Sequence, residues 1–479
     1  MDTAVVWFRD DLRLDDNPTL VDAVAQASDI VPVYVFDPRR RGQSQYGPEK
    51  LGSHRARFRR EAILDLRESL RDLGGDLFVR QGHVEDVLPD VTEEVDADAV
   101  FAQTKPTIEE IEREHAVKNT LPESVDFERR WTHTLYHIDD LPTPSDRIDD
   151  TFTPWRKEAE NSVEVRDPVP APETVSTPAD SSPGDIPTLS DLSIDPPPED
   201  DRSVLSFEGG ETAGKRRVES YLWEGDHLRE YKQTRNGLLG ADYSSKFSPW
   251  LAAGCLSPRW LHREVERYED ERVASEDTYW LVFELLWRDF FQFQFLKHGA
   301  DFFAPGGIRG VEKEWQRDRE QFDRWKRGET GVPFVDANMR ELNRTGYMSN
   351  RGRQNVASFL ADALELDWRW GAAYFEQQLV DYDVASNWGN WAYQAGVGND
   401  SRDSHFDVLS QAEYYDDDAE YVRTWLPELD GLPPKYAHRP WQMSDDERAT
   451  YGVELGVDYP RPMIDVEARY SELASDSKG

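Results

Sequence analysis

The chain has 479 residues, enough for roughly three domains of about 150 residues each. Its 56 basic and 95 acidic residues give a formal charge of −39, which argues against a general electrostatic coat for nucleic acid. The one cysteine, Cys255, excludes an intramolecular disulfide framework and a cysteine-rich zinc site. No apolar run approaches the about 18 residues that cross a bilayer, and no signal-peptide pattern opens the chain, so we expect a cytoplasmic protein without membrane contact.

Residues 1–145 alternate between short apolar segments and helical patterns. The helical pattern is clearest at 58–73, where apolar residues recur every three or four positions. This alternation, with a period of roughly 25–30 residues, predicts an α/β domain with a doubly wound parallel sheet. No G-x-G-x-x-G follows the first strand, so an ordinary dinucleotide fingerprint is absent. The predicted strands are 4–8, 30–36, 76–80, 97–102 and 125–131.

Residues 146–210 are predicted to link two domains. Nine prolines fall between Pro168 and Pro198, among Ser, Thr, Asp and Glu. Such a composition cannot bury enough apolar surface to offset its ordering entropy, so we expect an extended segment on the surface. Residues 211–465 are helical in pattern and hold thirteen of the sixteen tryptophans, which predicts an all-α domain. Residues 466–479 are predicted to be a short tail.

Two acidic residues, Asp381 and Asp383, lie two positions apart in apolar sequence and precede Asn387. They could act as general acid and base, bind a metal, accept hydrogen bonds from a heterocycle or cap a helix. The segment offers no third convergent oxygen or nearby His, so we expect no metal. The polar run 346–355 includes Arg353, which could neutralise one of these aspartates, because a buried acid without a cation is costly.

The run 242–250 places successive hydroxyls before a proline, a pattern typical of an anion-binding turn that leads into a helix. Serine-rich loops are common, so this signal is weak alone. The aromatic segment 278–295 also contains polar groups, among them Glu284 and Arg288. Buried polar groups need partners, and a large planar cofactor with a polar edge would supply them.

Seven segments resemble the photolyase/cryptochrome family, and specifically its cryptochrome-DASH branch. They follow the family's order along nearly the whole chain, while residues 160–205 do not match and are interpreted as an insertion. The resemblance implies an N-terminal α/β domain, a surface linker and a C-terminal helical domain that holds FAD bent into a U. The segments are WFRDDLRLDDN (7–17), TRNGLLG (234–240), YSSKFSPWL (243–251), FELLWRDF (283–290), NRGRQNVASF (350–359), DYDVASNWGNW (381–391) and WLPEL (425–429).

The resemblance also implies the residues that hold FAD. The turn 244–248 would bind the phosphates, Arg353 and Asp381 would bracket the isoalloxazine, and Asp383 would accept from its polar edge. Asn387 would face the flavin N5, where a neutral amide suits an anionic reduced flavin because a carboxylate would repel it. The implied cofactor contacts are Tyr231, Ser244, Ser245, Lys246, Phe247, Ser248, Trp280, Glu284, Arg288, Asn350, Arg353, Asp381, Asp383 and Asn387.

Three tryptophans match the family's electron relay: Trp391 nearest the flavin, Trp368 in the middle and Trp315 at the surface. With Asn387 and Glu284 they are the implied catalytic residues. The implied DNA contacts are Arg235, Trp287, Asn350, Arg351, Gln354 and Tyr393, with Lys246 and Arg402 as further cations of the rim.

The activity implied by the resemblance is the blue-light splitting of cyclobutane pyrimidine dimers by an electron from excited reduced FAD. Gln354 and Tyr393 replace the Met and Trp of double-strand photolyases, so single-stranded DNA is the expected substrate. The alternatives are a blue-light sensor that acts through a partner, a full double-strand photolyase and a light-independent flavoprotein electron carrier.

An antenna is expected between the domains, because 153–160 resembles the branch's F-R-K-x-x-E segment. Methenyltetrahydrofolate is the expected antenna, and a deazaflavin or an empty cleft are the alternatives. With 12 Lys against 44 Arg, the acidic, Lys-poor composition is typical of a halophilic organism. We expect a monomer.

Overall fold

The computed structural model describes residues 1–178, 182–399 and 405–476. Its N-terminal part contains a five-stranded parallel sheet of order β3-β2-β1-β4-β5, which confirms the doubly wound fold. The strands are β1 (Thr3–Phe8), β2 (Asp29–Phe36), β3 (Phe78–Gln81), β4 (Ala99–Gln103) and β5 (Asp126–Arg130). Strand β3 begins two residues later than predicted, because Asp76 instead accepts hydrogen bonds from Arg67 and Arg71.

Apolar clusters lie on both faces of the sheet, so the central strand β1 is buried along its whole length. Strands β1 and β4 are neighbours although β2 and β3 separate them in sequence. Doubly wound sheets bind ligands outside the carboxyl ends of the strands at such a reversal of strand order. The helices of this part are α1 (Pro18–Gln26), α2 (Ser53–Asp72), α3 (Val84–Glu94), α4 (Ile108–Thr120) and α5 (Phe152–Ser162).

The proline-rich segment runs as extended chain along the N-terminal domain. The Pro183 carbonyl accepts the N–H of Val79 at 2.7 Å, so the segment pairs with a backbone group of the edge strand β3. Further along, Arg202 donates to the Thr424 carbonyl at 3.2 Å and covers the Trp425 ring at 4.2 Å. The segment is therefore attached to both domains.

The C-terminal part is helical. Its longest helix, α10, begins with a capping box between Ser275 and Thr278 and crosses the core. The predicted tail contains a helix, α20, because Val466 and Tyr470 are buried against the core. The helices are α6 (Glu211–Val218), α7 (Tyr231–Thr234), α8 (Ser248–Ala253), α9 (Pro258–Glu271), α10 (Glu276–His298), α11 (Arg319–Arg327), α12 (Pro333–Thr345), α13 (Asn350–Ser358), α14 (Trp368–Gln378), α15 (Val384–Gln394), α16 (Val408–Tyr415), α17 (Glu420–Trp425), α18 (Pro434–His438), α19 (Asp445–Tyr451) and α20 (Val466–Asp476).

The two parts share one apolar core and are joined by buried carboxylates. Asp289 on α10 accepts the backbone N–H groups of Leu135 and Tyr136 at 2.9 and 2.8 Å. Asp16 accepts from Arg259 on α9 at 3.0 Å. Within the described ranges, no helix has the length and apolar character that a membrane crossing requires. The same ranges contain no group of three or more His, Cys, Asp or Glu side chains placed to hold a metal ion.

Candidate functional site

A pocket of about 400 Å³, here the central pocket, lies within the helical domain. It collects side chains from α7, the turn before α8, α10, α13 and α15. Most of the predicted cofactor residues line it: Tyr231, Ser244, Ser245, Lys246, Phe247, Ser248, Glu284, Arg288, Asn350, Arg353, Asp381 and Asp383. So do five of the six predicted DNA contacts, namely Arg235, Trp287, Asn350, Gln354 and Tyr393.

The turn 241–248 is built around a buried arginine that sequence analysis missed. Arg217 on α6 donates to the carbonyls of Ser245, Ala241 and Ser244 at 3.0, 3.1 and 3.3 Å. Its guanidinium also pairs with Asp242 at 2.8 Å. These bonds fix the backbone of the turn, so its hydroxyls are presented to the pocket in one arrangement. The spacing of 24 to 28 residues has no periodic signature, so no sequence signal identified Arg217.

Lys246 places a buried amine in the same turn. Its backbone is left-handed, with φ of 55°, and its Nζ donates to the Ala241 carbonyl at 2.9 Å. Burial, together with the nearby Arg217, lowers the pKa of Lys246 to about 6. An anion bound here would raise that pKa again, because opposite charge favours the ammonium form. The donor set of hydroxyls and one amine therefore suits a phosphate.

A charge pair links α13 to the start of the 381–391 segment. Arg353 donates to both carboxylate oxygens of Asp381, at 3.0 and 2.8 Å, and the Ser248 hydroxyl donates to the same carboxylate at 2.6 Å. The Asp381 side chain is buried, whereas that of Arg353 is 26% exposed. The pair thus presents a guanidinium to the pocket and satisfies the buried acid behind it.

Asp383 caps α15 and faces the domain junction. It accepts the Ser386 N–H at 2.8 Å and the amide of Gln292 at 3.0 and 3.1 Å. Burial alone would raise the pKa of Asp383, but Arg288, Lys105 and the Ser386 N–H outweigh burial, and its pKa is lowered. Asp383 is therefore a carboxylate at neutral pH, able to accept a further hydrogen bond from the pocket.

Another part of the pocket wall is aromatic and polar. Trp287 stacks on Phe152 at 3.7 Å and meets the Tyr393 ring edge-on at 6.2 Å. The Gln354 Oε1 atom is buried and has no hydrogen-bond partner among the residues that the structure describes. An acceptor of this kind calls for a ligand donor or an ordered water.

At the rim, Glu284 pairs with Arg235. Burial raises the pKa of Glu284 in spite of Arg235. Asn350, the first residue of α13, is exposed. The remaining rim candidate, Arg402, lies outside the described residues.

Three of the predicted cofactor and DNA contacts do not line the central pocket, and neither do the three predicted relay tryptophans. The Asn387 amide donates to the Ala372 carbonyl at 3.0 Å, which leaves its oxygen as an acceptor. Trp280 stacks on Phe283 at 4.7 Å. Arg351 is held on the outer side of α13 by Gln411 at 3.3 Å and Asn236 at 3.2 Å.

Of the predicted relay tryptophans, Trp391 and Trp368 are buried and Trp315 is half-buried. Trp391 lies against Gly371 of α14, where a Cβ would approach its ring to 2.2 Å. The indole N–H groups of Trp315 and Trp368 both donate to the Pro305 carbonyl, at 3.0 and 3.2 Å, so these two rings are close neighbours.

The ring contacts of the relay were not foreseen from the sequence. Trp391 packs edge-on against Trp325 at 6.1 Å and Phe375 at 5.1 Å. Trp368 packs edge-on against Trp388 at 5.8 Å. Trp388 follows Asn387 directly in the chain and was not among the predicted site residues.

A second cavity, of about 600 Å³, lies between the two domains at the carboxyl ends of β1, β2 and β4. Asp10, Asp37 and Lys105 line it just beyond those strands, as expected for a doubly wound sheet. Its other wall is aromatic and includes Trp388. Asp383 belongs to the walls of both cavities. We call this second space the interdomain cavity.

The segment 153–160, which suggested an antenna, does not line the interdomain cavity. Trp155 is buried against Phe290 at 5.5 Å, and Arg156 pairs with Glu160 at 2.6 Å. The segment belongs to α5, which packs on α10. In the structure these residues take part in helix packing, and the antenna that they suggested stays a prediction.

The fold and the central pocket define an FAD-binding protein of the DNA photolyase type, and comparison with known proteins agrees. Residues 4–173 match the family described as DNA photolyase, and residues 280–478 match the FAD binding domain of DNA photolyase. A protein named cryptochrome DASH from the halophilic archaeon Natronomonas pharaonis is 71% identical over 474 residues, covering 99% of this chain and 100% of that protein. The cryptochrome DASH of Synechocystis sp. is 46% identical over 484 residues, covering 98% of this chain and 97% of that protein.

Two solved structures extend the comparison. A Synechocystis sp. cryptochrome has a TM-score of 0.96 and 45% identity, covering 99% of both chains. A bacterial class III photolyase from Agrobacterium tumefaciens has a TM-score of 0.85 and 30% identity, covering 100% of this chain and 98% of that chain.

The chain belongs to the photolyase/cryptochrome family, close to the members named cryptochrome DASH. FAD is its cofactor, and the acidic composition agrees with the halophilic relative. Because that relative aligns over 99% of the chain, the segment 160–205 is not an insertion peculiar to this protein.

Proposed function

We propose that this protein is a light-driven lyase that splits cyclobutane pyrimidine dimers, preferentially in single-stranded DNA. The observation that carries the proposal is that one pocket holds both sets of side chains. The phosphate-type turn, the Arg353–Asp381 pair and Asp383 lie together with the walls Trp287, Gln354 and Tyr393. A cofactor held by the first set would have its reactive ring next to a base held by the second.

Bound and reduced FAD supplies the electron that opens the cyclobutane ring when light excites it. The chain's own residues position both reactants. The turn 244–248, held by Arg217, binds the phosphates, and the Arg353 guanidinium and the Asp383 carboxylate bind the polar edge of the ring system. Asn387 is neutral and offers an acceptor oxygen, so it adds no negative charge beside a reduced flavin.

The preference for single strands follows from the lesion wall and the net charge. Extracting a base pair from duplex DNA costs on the order of a few kcal/mol. With a charge of −39, the surface offers few phosphate contacts to offset that cost. Gln354 and Tyr393 also make the pocket smaller and more polar than Met and Trp would. A deficit of about 3 kcal/mol corresponds to roughly a hundredfold in apparent efficiency.

The test is the rate of dimer repair in matched single- and double-stranded oligonucleotides, with reduced protein, blue light and molar salt. At that salt the Debye length is about 3 Å, so long-range repulsion is screened in both arms. We expect faster repair of the single strand. A ratio near one would identify a full duplex photolyase, and no repair in either arm would overturn the lyase in favour of a sensor or an electron carrier.

A paired variant separates the two causes. Gln354→Met together with Tyr393→Trp should raise duplex repair if the pocket limits it. No change in duplex repair would assign the limit to the charge of the DNA-facing surface.

We further propose that the interdomain cavity holds the antenna, with methenyltetrahydrofolate as the expected occupant. Its size, its aromatic wall of Tyr46, Phe303 and Trp388, and the cations Arg40 and Lys50 suit a conjugated ring with a carboxylated tail. Titration of the purified protein with this folate, followed by absorbance, tests the proposal. If a deazaflavin binds and the folate does not, the deazaflavin would replace the folate as the proposed antenna.

Monomeric state and cytoplasmic location remain proposals as well. Size-exclusion chromatography with light scattering at molar salt tests the first, and cell fractionation tests the second. A dimer at working concentration would overturn the proposal that the protein is monomeric.

A further inference from the structure

We propose that Trp388 is a fourth member of the electron relay and gives the relay a second exit, into the interdomain cavity. The proposal rests on the proposed function, because it concerns how electrons reach the flavin site. Trp388 packs edge-on against Trp368, with ring centroids 5.8 Å apart and an interplanar angle of 72°. The same ring lines the interdomain cavity.

The position of Trp388 in the fold makes it a branch point. Trp368 is fully buried and lies between two other tryptophans. One is Trp315, whose indole N–H donates to the same Pro305 carbonyl as that of Trp368. The other is Trp388, whose ring contacts the Trp368 ring edge-on. A hole on Trp368 therefore has a neighbouring indole in each of two directions.

The surroundings of Trp388 hold the ring in place. Phe303 meets it edge-on at 4.9 Å, and Tyr46 lies at 5.7 Å on the cavity side. Its indole N–H donates to the Tyr382 hydroxyl at 3.2 Å. The acceptor oxygen would stabilise the positive charge of an oxidised indole, because oxidation makes the N–H a stronger donor.

The electron balance of the branch is simple. After Trp391 has given up one electron and has been refilled from Trp368, the Trp368 radical cation takes one electron from Trp388. Trp368 is then neutral and Trp388 carries the hole. A small one-electron reductant in the cavity, such as ascorbate, refills Trp388 and is itself oxidised by one electron.

The two exits differ in what can reach them. Trp315 lies at the outer surface beneath the Lys313 ammonium, 4.2 Å from its ring. Trp388 is reached through a cavity of about 600 Å³, which has room for a small reductant and whose cations Arg40, Lys50 and Lys105 pair with carboxylates of the same lining. A ligand seated in the interdomain cavity would close the second exit and leave the first open.

The experiment uses flavin-loaded protein with an empty cavity, ascorbate as reductant and light absorbed by the flavin. The variants are Trp315→Phe, Trp388→Phe, the double variant, and Trp370→Phe as a control. Trp370 lies on α14 near Trp368, but its ring packs on Phe322 at 5.4 Å. Flavin content, the lifetime of the tryptophan radical by transient absorption and the rate of flavin reduction are measured for each.

We expect Trp315→Phe to slow flavin reduction without abolishing it. The rate of flavin reduction in the double variant should be at least about tenfold lower than the product of the two single effects predicts, because each exit substitutes for the other. Its tryptophan radical should recombine faster than in either single variant, with flavin content unchanged. Adding methenyltetrahydrofolate to Trp315→Phe should reproduce the double variant.

The proposal fails if Trp315→Phe is as slow as the double variant, or if the folate leaves Trp315→Phe unaffected although it binds. Trp391→Phe separates this failure from failure of the relay itself. If Trp391→Phe reduces its flavin at the normal rate, electrons bypass the whole relay and the proposed route is wrong. If it does not, only the Trp388 branch is overturned.

Discussion

Substituting Arg217 by Ala should weaken FAD binding although Arg217 does not line the central pocket. The guanidinium makes three hydrogen bonds to the carbonyls of the turn 241–248, and Ala would remove all of them. A hydrogen bond from a charged group contributes about 1.5–3 kcal/mol, and bonds within one network do not add. If one such contribution is transferred to ligand binding, the Kd for FAD rises by roughly 10- to 100-fold.

The assay is a titration of apoprotein with FAD, followed by flavin fluorescence, alongside thermal unfolding. Arg216→Ala is the matched control, because Arg216 is the preceding residue of α6 and makes an exposed pair with Glu208 at 3.2 Å. Such surface pairs contribute about 0–1 kcal/mol. Arg217→Lys should be intermediate, since an ammonium cannot reach three carbonyls at once. Equal Kd values for Arg217→Ala and Arg216→Ala in folded protein would refute the reasoning.

Three further outcomes are expected. Asp383→Ala should purify largely without flavin colour. Asp383→Asn can still cap α15, so it should fold normally and retain part of the FAD. Full flavin absorbance in Asp383→Ala would contradict the placement of this carboxylate. Gly371→Ala should displace the Trp391 ring, because its Cβ would lie 2.2 Å from that ring, and blue-light flavin reduction should slow at unchanged FAD content. Glu341 is buried and accepts from Tyr421, and burial raises its pKa from 4.5 to about 8. The native protein then holds this proton to higher pH than the unfolded chain, so the free energy of unfolding should fall between pH 4.5 and 8. Glu341→Gln should reduce that fall, as measured by urea titrations across this pH range. The same dependence of unfolding free energy on pH in both proteins would contradict the reasoning.

The sheet could be predicted from local sequence patterns, whereas most residues of the central pocket could not. Strands follow from local apolar runs, and all five were found, although β3 and β4 each begin two residues later than predicted. In β3 the displaced residue Asp76 pairs with two arginines. The pocket residues followed from the family resemblance. Arg217 and Trp388 were missed, because their contacts join segments that no sequence period connects.

An antenna between the domains was expected from residues 153–160, and these residues do not line the interdomain cavity. The residues 153–160 are amphipathic and aromatic, and from sequence alone a helix that packs on α10 cannot be distinguished from one that binds a ligand. The strands were the better indicator of this cavity. Asp10, Asp37 and Lys105 each follow a predicted strand, and the strand order places their carboxyl ends at one edge.

The N-terminal domain contributes charge to the flavin site as well as a cavity. Lys105 follows β4 and Arg288 lies on α10, and together they keep Asp383 ionised against the effect of its burial. Without Lys105, the pKa of Asp383 would rise, and only Arg288 and the hydrogen bonds from Ser386 would oppose the effect of burial. Asn387, four residues later in the chain, carries no charge. Arg353 balances the carboxylate of Asp381 and Arg235 balances that of Glu284, both within the helical domain. Asp383 is balanced by cations from both domains, so the docking of the two domains becomes a determinant of cofactor chemistry.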